Sequence, residues 1–146
     1  MFLNQLKPKD FDFWTSLRTR WNDMDALGHV NHTVFLSYME TARVETYMQL
    51  GFEGINKRMN KSTILANIEV TYLAQLSHPS SLKIGHRIIR VGTKSYDLIS
   101  GIFMQPSNTL ICSAYFKLVS FNYKNNKTIL VPNKIRKNCR PLAKIK

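Results

Sequence analysis

A single stretch of this 146-residue chain carries its apolar residues at helical spacing. Val34, Phe35, Tyr38, Met39, Ala42 and Thr46 fall on one side of a 3.6-residue period, which predicts an amphipathic helix with one buried face. Asn31 suits the N-cap and Gly51 the residue just past the C-terminus, so the helix should run about five turns. Elsewhere the periodic stretches alternate by two. A lone long helix among strands must bury its apolar stripe against a sheet, because no second long helix is present to take it.

The strand signals are dense. Residues 13–21 alternate through Phe13, Thr15, Leu17, Thr19 and Trp21, and residues 22–30 are rich in turn formers. Residues 52–61 are polar and irregular. In residues 64–76, Ile64, Ala66, Ile68, Val70, Tyr72, Ala74 and Leu76 should share one face of a half-buried strand. "SHPSS" at 77–81 turns the chain, and strands are expected at 82–91, 95–104 and 109–121, separated by "GT" and "QPSN". Short connections favour antiparallel pairing. The expected fold class is α+β, with a long central helix wrapped by an antiparallel sheet of five or six strands. One domain over 1–133 and a basic tail over 134–146 are expected. A two-layer fold of this size leaves one sheet face uncovered or paired with another subunit, so at least a dimer is expected.

The net charge of +12 is unevenly spread. Residues 1–54 carry five Lys/Arg and seven Asp/Glu, whereas residues 55–146 carry sixteen Lys/Arg and two acids, Glu69 and Asp97. Six positive charges lie in "KIRKNCRPLAKIK" alone. A field of this sign attracts polyanions such as nucleic acid, an anionic membrane or a phosphate-rich ligand. Tyr72, Tyr96, Phe103 and Phe121 sit in alternating strand patterns and read as core, so no specific nucleic-acid partner is expected. Weak contact of the tail with anionic lipid remains open. No apolar run is long enough to span a membrane, and "MFLNQLKPKDFDFW" lacks the apolar segment of a signal peptide. The two cysteines, Cys112 and Cys139, form no disulfide framework, and Cys112 reads as an inert core thiol. A reducing, cytoplasmic setting is expected.

The chemistry-bearing residues concentrate in "RWNDMDALGHVNHTVFLSYMETARVE", residues 20–45. His29, His32, Asp23 and Asp25 lack the third well-placed ligand that a histidine zinc site needs, so no metal is expected. No nucleophile elbow, Walker loop or dinucleotide loop is present. The carboxylates remain. Asp23 and Asp25 precede the start of the helix, whose first turn offers unpaired N–H groups and the positive end of a dipole. A carboxylate there can attack a carbonyl or activate water while an amide holds the oxyanion, which is the chemistry of acyl transfer to water. The same residues could equally serve only to cap a helix and shape a turn.

The stretch "RWNDMDALGHVNHTVFLSYMETAR" resembles the signature of the acyl-CoA thioesterases of the hotdog fold, and more narrowly of their 4-hydroxybenzoyl-CoA thioesterase-like branch. The match runs more loosely through 64–76 and "GTKS" to about residue 121. The resemblance implies a hotdog fold and thioester hydrolysis in a homodimer or homotetramer, with no cofactor beyond the coenzyme A of the substrate. It places the catalytic carboxylate on Asp25 and the oxyanion donor on the His32 backbone amide. Gly28 would let the loop pass close to the thioester, and Asn31 would cap the helix. His29 would order the loop or touch substrate. Lys94 and Ser95 match a pair near the coenzyme A phosphates, with Arg90 and Thr93 as weaker candidates. The chain departs from the pattern at His32, where Asn is usual, and at Phe35, where Tyr is usual. Glu40 and Arg43, three apart, are expected to pair on the helix surface. A thioesterase of carrier-protein substrates, a hotdog dehydratase and a non-catalytic basic binding module are the rival readings. A dehydratase would need a differently placed His–carboxylate pair.

Overall fold

The computed structural model describes residues 2–53 and 59–143. Its elements are β1 (Phe13–Arg18), α1 (His32–Gln49), β2 (Lys61–Tyr72), β3 (Ser81–Val91), β4 (Ser95–Gln105), β5 (Thr109–Asn122), β6 (Lys127–Thr128) and a single turn, α2 (Asn133–Arg136). The strands make one antiparallel sheet in the order β1–β3–β4–β5–β2, with β6 paired to β5. Part of the irregular stretch at 52–61 and the last three residues of the basic segment lie outside the described residues.

Helix α1 forms where its period and caps predict. Asn31 Oδ1 accepts the Thr33 N–H at 3.0 Å, and Gly51 ends the helix at φ +97°, a conformation costly for residues with a Cβ. Phe35, Tyr38, Met39, Ala42 and Thr46 are buried against the inward residues of β3, β4 and β5. Met39 is fully buried, so truncation to Ala should cost about 2–5 kcal/mol in lost burial and cavity formation.

Three expectations need correction. β1 stops at Arg18, and Trp21 begins a one-turn 3-10 helix (Trp21–Asp23) with 74% of its surface exposed. β2 ends at Tyr72 rather than residue 76 and carries a register shift between Leu65 and Asn67. Ala66 is the extra residue, and a bulge of this kind flips the faces before it. By register, Thr63, Leu65, Ile68, Val70 and Tyr72 therefore share the helix side, and Ile64 turns outward. β2 is also an edge strand and is less buried than its alternation predicts: Leu65 is 44% exposed and Tyr72 45%.

The outer sheet face is covered by the chain itself, which the sequence reading did not foresee. Leu3, Leu6 and Phe11 from the N-terminal segment pack with Ile99 and Phe103, and Leu142 joins them from the other end. Phe11 lies across Gly85 and Gly101, which pair directly between β3 and β4. A Cβ on Gly85 would meet Phe11 at 2.6 Å, and one on Gly101 would meet it at 2.6 Å. The basic segment is docked as far as Leu142. Ile135 is buried, the Arg140 N–H donates to Ile88 O beside the part of β3 that β1 leaves unpaired, and Arg87 donates to the carbonyls of Arg140 and Pro141. No helix among the described residues is long and apolar enough to cross a membrane.

Candidate active site

The loop before α1 is closed like a small hairpin. Met24 and Val30 form an antiparallel bridge, the Asp25 N–H donates to His29 O at 2.9 Å, and the Gly28 N–H donates to Asp25 O at 3.1 Å. Gly28 has φ +79°, which is why a glycine suits this turn; a Cβ there would meet nothing within 4 Å. Its carbonyl accepts from the Ser77 hydroxyl. The Val30 N–H donates to Leu76 O at 2.7 Å, which ties the loop to the chain beyond β2.

The two aspartates have different surroundings. Asp23 is 2% exposed and its carboxylate is consumed by structure: it accepts from Tyr38 Oη at 2.5 Å, from the Arg20 N–H at 2.7 Å and from Arg20 Nη2 at 3.2 Å. Burial pushes its pKa up, but the hydrogen bonds from Tyr38 and Arg20 outweigh that and hold it below the usual carboxylate value. Burial, followed by the bond to Asp23, raises the Tyr38 pKa, so the phenol keeps its proton. Asp23 O also accepts the Asn31 N–H, pinning the loop to the helix start. Asp25 is exposed. Its Oδ1 accepts the Leu27 N–H at 2.9 Å, and Oδ2 is free of partners among the described residues.

At the helix start Asn31 Oδ1 takes the Thr33 N–H and Asn31 O takes the Val34 N–H. The His32 N–H is left without a partner among the described residues, one of the orphan donors of a first helical turn. The His32 carbonyl accepts from Tyr72 Oη at 3.0 Å, and the His32 ring meets the Tyr72 ring edge-on, so the side chain points to solvent and β2 while the amide remains available. Asp25, Gly28, His29, Asn31 and His32 are thus gathered at one end of the sheet. His29 is half-buried and its carbonyl closes the hairpin.

Arg90, Thr93, Lys94 and Ser95 are gathered too, but at the opposite end. They flank the β3–β4 turn, level with the end of β5: Ser95 pairs Val119, whereas Tyr72, beside His32, pairs Cys112. The seven residues between amount to roughly 20 Å at about 3.3 Å per residue. One chain does not bring the two groups together. Arg90 is engaged by Asp97 through Nε at 2.5 Å and Nη2 at 2.8 Å, and it also bonds Ser95 Oγ. Burial raises the Asp97 pKa, yet Arg90 and the Tyr115 hydroxyl outweigh this and hold it low. Thr93 and Lys94 are exposed. Arg136 donates to Gly92 O, which brings the basic segment up to this turn.

The expected Glu40–Arg43 pair is not among the ion pairs of the described residues; Arg43 lies instead over the Phe116 ring at 4.9 Å. Cys112 is fully buried, and burial pushes its thiol up to about 12, which makes it inert. Among the described residues no three His, Cys, Asp or Glu side chains converge as a metal would require. Tyr38 and Tyr72, which sequence reasoning took as core, are positioning residues, and Asp23, weighed there as a candidate carboxylate, is a third; the Arg20–Asp23 spacing beside a helical Tyr was the available signal.

The description of the thioesterase-like superfamily fits residues 19–139. The chain belongs to that superfamily. Its sheet and helix are those of the hotdog-fold thioesterases. It is 29% identical to the PA2801 protein of Pseudomonas aeruginosa, covering 86% of this chain and 95% of that one at a TM-score of 0.77. It is 25% identical to a thioesterase of Thermus thermophilus solved with coenzyme A and zinc, covering 88% and 97% of the two chains at a TM-score of 0.75. The uncharacterized protein YsmA of Bacillus subtilis (strain 168) is 27% identical over 88 residues, 60% of this chain and 58% of that protein. Membership in the superfamily supports thioester hydrolysis in general terms and leaves the acyl group and its carrier open.

Proposed function

We propose that this protein hydrolyses acyl-CoA thioesters to the free acid and coenzyme A, with Asp25 as the catalytic carboxylate and the His32 amide as the oxyanion donor. The observation that carries this is the contrast between two neighbouring aspartates. Asp23 is spent on holding the loop, while Asp25 stands exposed with a free oxygen at an unpaired helix N-terminus. The relative solved with coenzyme A supports the choice of carrier. Asp25 either takes a proton from water as the water oxygen adds to the thioester carbon, or adds itself to give an anhydride that water then opens. In both routes the carbonyl oxygen gains charge beside the His32 N–H, and the sulfur leaves as thiolate.

A dimer completes the proposed site. β2 offers an open edge, with Leu65, Tyr72 and Leu73 between 39% and 45% exposed. Two copies paired through β2 in antiparallel fashion set the Asp25 end of one beside the β2 start of the other. The partner copy's β3–β4 turn then lies three strand spacings from the Asp25 end of β2, across the partner's β2 and β5, roughly 14 Å. There Lys94, with Thr93 and Ser95, meets the coenzyme A phosphates, while Arg90 chiefly holds the turn through Asp97. Two free thiols are in keeping with a cytoplasmic setting.

The test is thiol release from a panel of CoA thioesters by wild type and Asp25→Asn. Turnover should fall about 10²–10⁴-fold with the fold intact, the range for losing a positioned acid–base group. Near-wild-type turnover by the variant overturns the reading. A single turnover in ¹⁸O-water separates the two routes, because only the anhydride route labels Asp25. Carrier-protein thioesters assayed in parallel show whether CoA is the preferred carrier.

A further inference from the structure

We propose that the end of the sheet opposite Asp25 is a docking face for anionic lipid bilayers. The inference goes beyond the thioesterase reading and does not depend on it. Antiparallel pairing gathers at this end residues that lie far apart in the sequence. Asn122, at the end of β5, pairs with Lys127 of β6. The β3–β4 turn sits level with Ser120, whose N–H donates to Lys94 O at 2.9 Å, and Arg136 of α2 donates to Gly92 O at 2.9 Å. Lys94, Lys124, Lys127, Lys134, Arg136 and Lys137 are all exposed here. None of them belongs to an ion pair among the described residues. Residues 55–146 hold only two acids, Glu69 and Asp97. Asp97 is taken up by Arg90 and Tyr115, and Glu69 pairs with Tyr115 in the β2–β5 register, away from this end. Glu45, near the end of α1, and Glu53, just past it, are exposed and offset only part of the charge. With Ile135 buried, the segment beyond β6 is no free tail but one wall of this face.

Coenzyme A needs few of these charges. In the proposed site it draws on Lys94 beside Thr93 and Ser95, which leaves Lys124, Lys127, Arg136 and Lys137 for another anion. The rest of the face has the composition of an interfacial contact. Leu130 is 66% exposed and Tyr123 48%. Leu130 lies between Ile129, whose N–H donates to Ser120 O, and Val131, whose N–H donates to Thr93 O, so it stands among the cations. Tyr and Leu at headgroup level add apolar burial to the attraction of Lys and Arg for anionic headgroups. A single-stranded nucleic acid calls for open ring faces on which bases stack. Tyr123 instead meets Phe121 edge-on at 5.1 Å, and its hydroxyl is tied to Thr63 O at 2.7 Å. Docking also sets the β3–β4 turn at the surface where long-chain acyl-CoA collects, since every methylene of the chain favours the bilayer.

The experiment is co-sedimentation of the full chain with vesicles of phosphatidylcholine, alone or with phosphatidylserine added. Partitioning should require phosphatidylserine and weaken as salt rises. Lys124→Gln with Lys137→Gln should weaken it about 25-fold, near fivefold for each charge removed. Leu130→Ser should weaken it about fivefold with no change of charge. Arg18→Gln with Lys83→Gln removes the same charge at the Asp25 end of the sheet. That pair should change partitioning less than about twofold, because exposed charges more than about 8 Å away are screened. No partitioning into phosphatidylserine vesicles at physiological ionic strength overturns the inference. Equal loss from the two double substitutions, or a Leu130→Ser variant that binds as wild type, overturns it as well. Binding of polyuridylate without binding of vesicles assigns the face to nucleic acid and overturns the lipid reading. Turnover of soluble short-chain CoA thioesters, read alongside, tests the thioesterase reading alone, so the two fail separately.

Discussion

Tyr38→Phe removes one oxygen and nothing else, and it reports on how the catalytic loop is held. Tyr38 Oη donates to Asp23 Oδ2, one of three hydrogen bonds to a carboxylate that is 2% exposed. Bonds to buried charged groups are worth about 1.5–3 kcal/mol, and the stranded acceptor keeps the loss near the upper figure. At roughly 3 °C per kcal/mol for a domain of this size, the melting temperature should fall by about 5–9 °C. The effect carries a pH signature. Asp23 has its pKa lowered by folding, so the folded state binds fewer protons than the unfolded one around the ordinary carboxyl value of 3.8. The stability it contributes is complete above that value and is lost as pH falls through the folded pKa. The gap between wild type and variant, read by urea denaturation followed by circular dichroism, should therefore be full at pH 7 and shrink below about pH 4. Because Asp23 O also holds the Asn31 N–H, kcat should drop with stability. A gap under about 1 kcal/mol at pH 7, or one that persists unchanged at pH 3, refutes the idea that Asp23 is the ionised anchor of the loop.

Gly28→Ala places a Cβ in open space but at φ +79°, so it should cost about 1–2 kcal/mol from backbone strain alone, measurable as a lower urea midpoint. Leu65→Glu puts a charge on the open β2 edge and should shift the sedimenting species from dimer to monomer, with thioesterase activity falling in step; an active monomer would contradict the shared site. His86 is fully buried, neither ring nitrogen has a partner among the described residues, and burial, with Arg43 nearby, pushes its pKa down to about 3. Between its ordinary value of 6.5 and 3 the unfolded state binds the extra proton, so stability falls with acid over that window. His86→Leu should flatten that fall and be neutral or stabilising at pH 7, checked by denaturation across pH 3–7.

Helix α1 and the long strands were legible because their signals are local: the period, an Asn at one end, a Gly at the other. The proposed catalytic aspartate was legible in part. Helix-start chemistry marked both Asp23 and Asp25, and only the resemblance chose between them; the structure adds a reason, since Asp23 is consumed by Tyr38 and Arg20. What was not legible depends on partners distant in sequence. The bulge at Ala66 reverses the faces of the first part of β2, and nothing in the alternation of Ile64 and Ala66 announces it. Arg90 looked free for a phosphate because its partner, Asp97, faces it only across the β3–β4 register. Leu3, Leu6, Phe11 and Leu142 have no common period, so their role as a cover for the outer face appears only once the sheet exists to receive them.

The slot that receives Phe11 has a consequence for reading other chains of this kind. A flat ring needs bare backbone on two adjacent strands, so the aromatic at 11 and the glycines at 85 and 101 form one three-residue unit. A relative with a side chain at either glycine position has no room for the ring and must leave its outer sheet face to some other covering, such as a second pair of subunits. The three positions should thus be gained and lost together in evolution. Their presence would mark chains that close the outer face of the sheet with their own N-terminal segment.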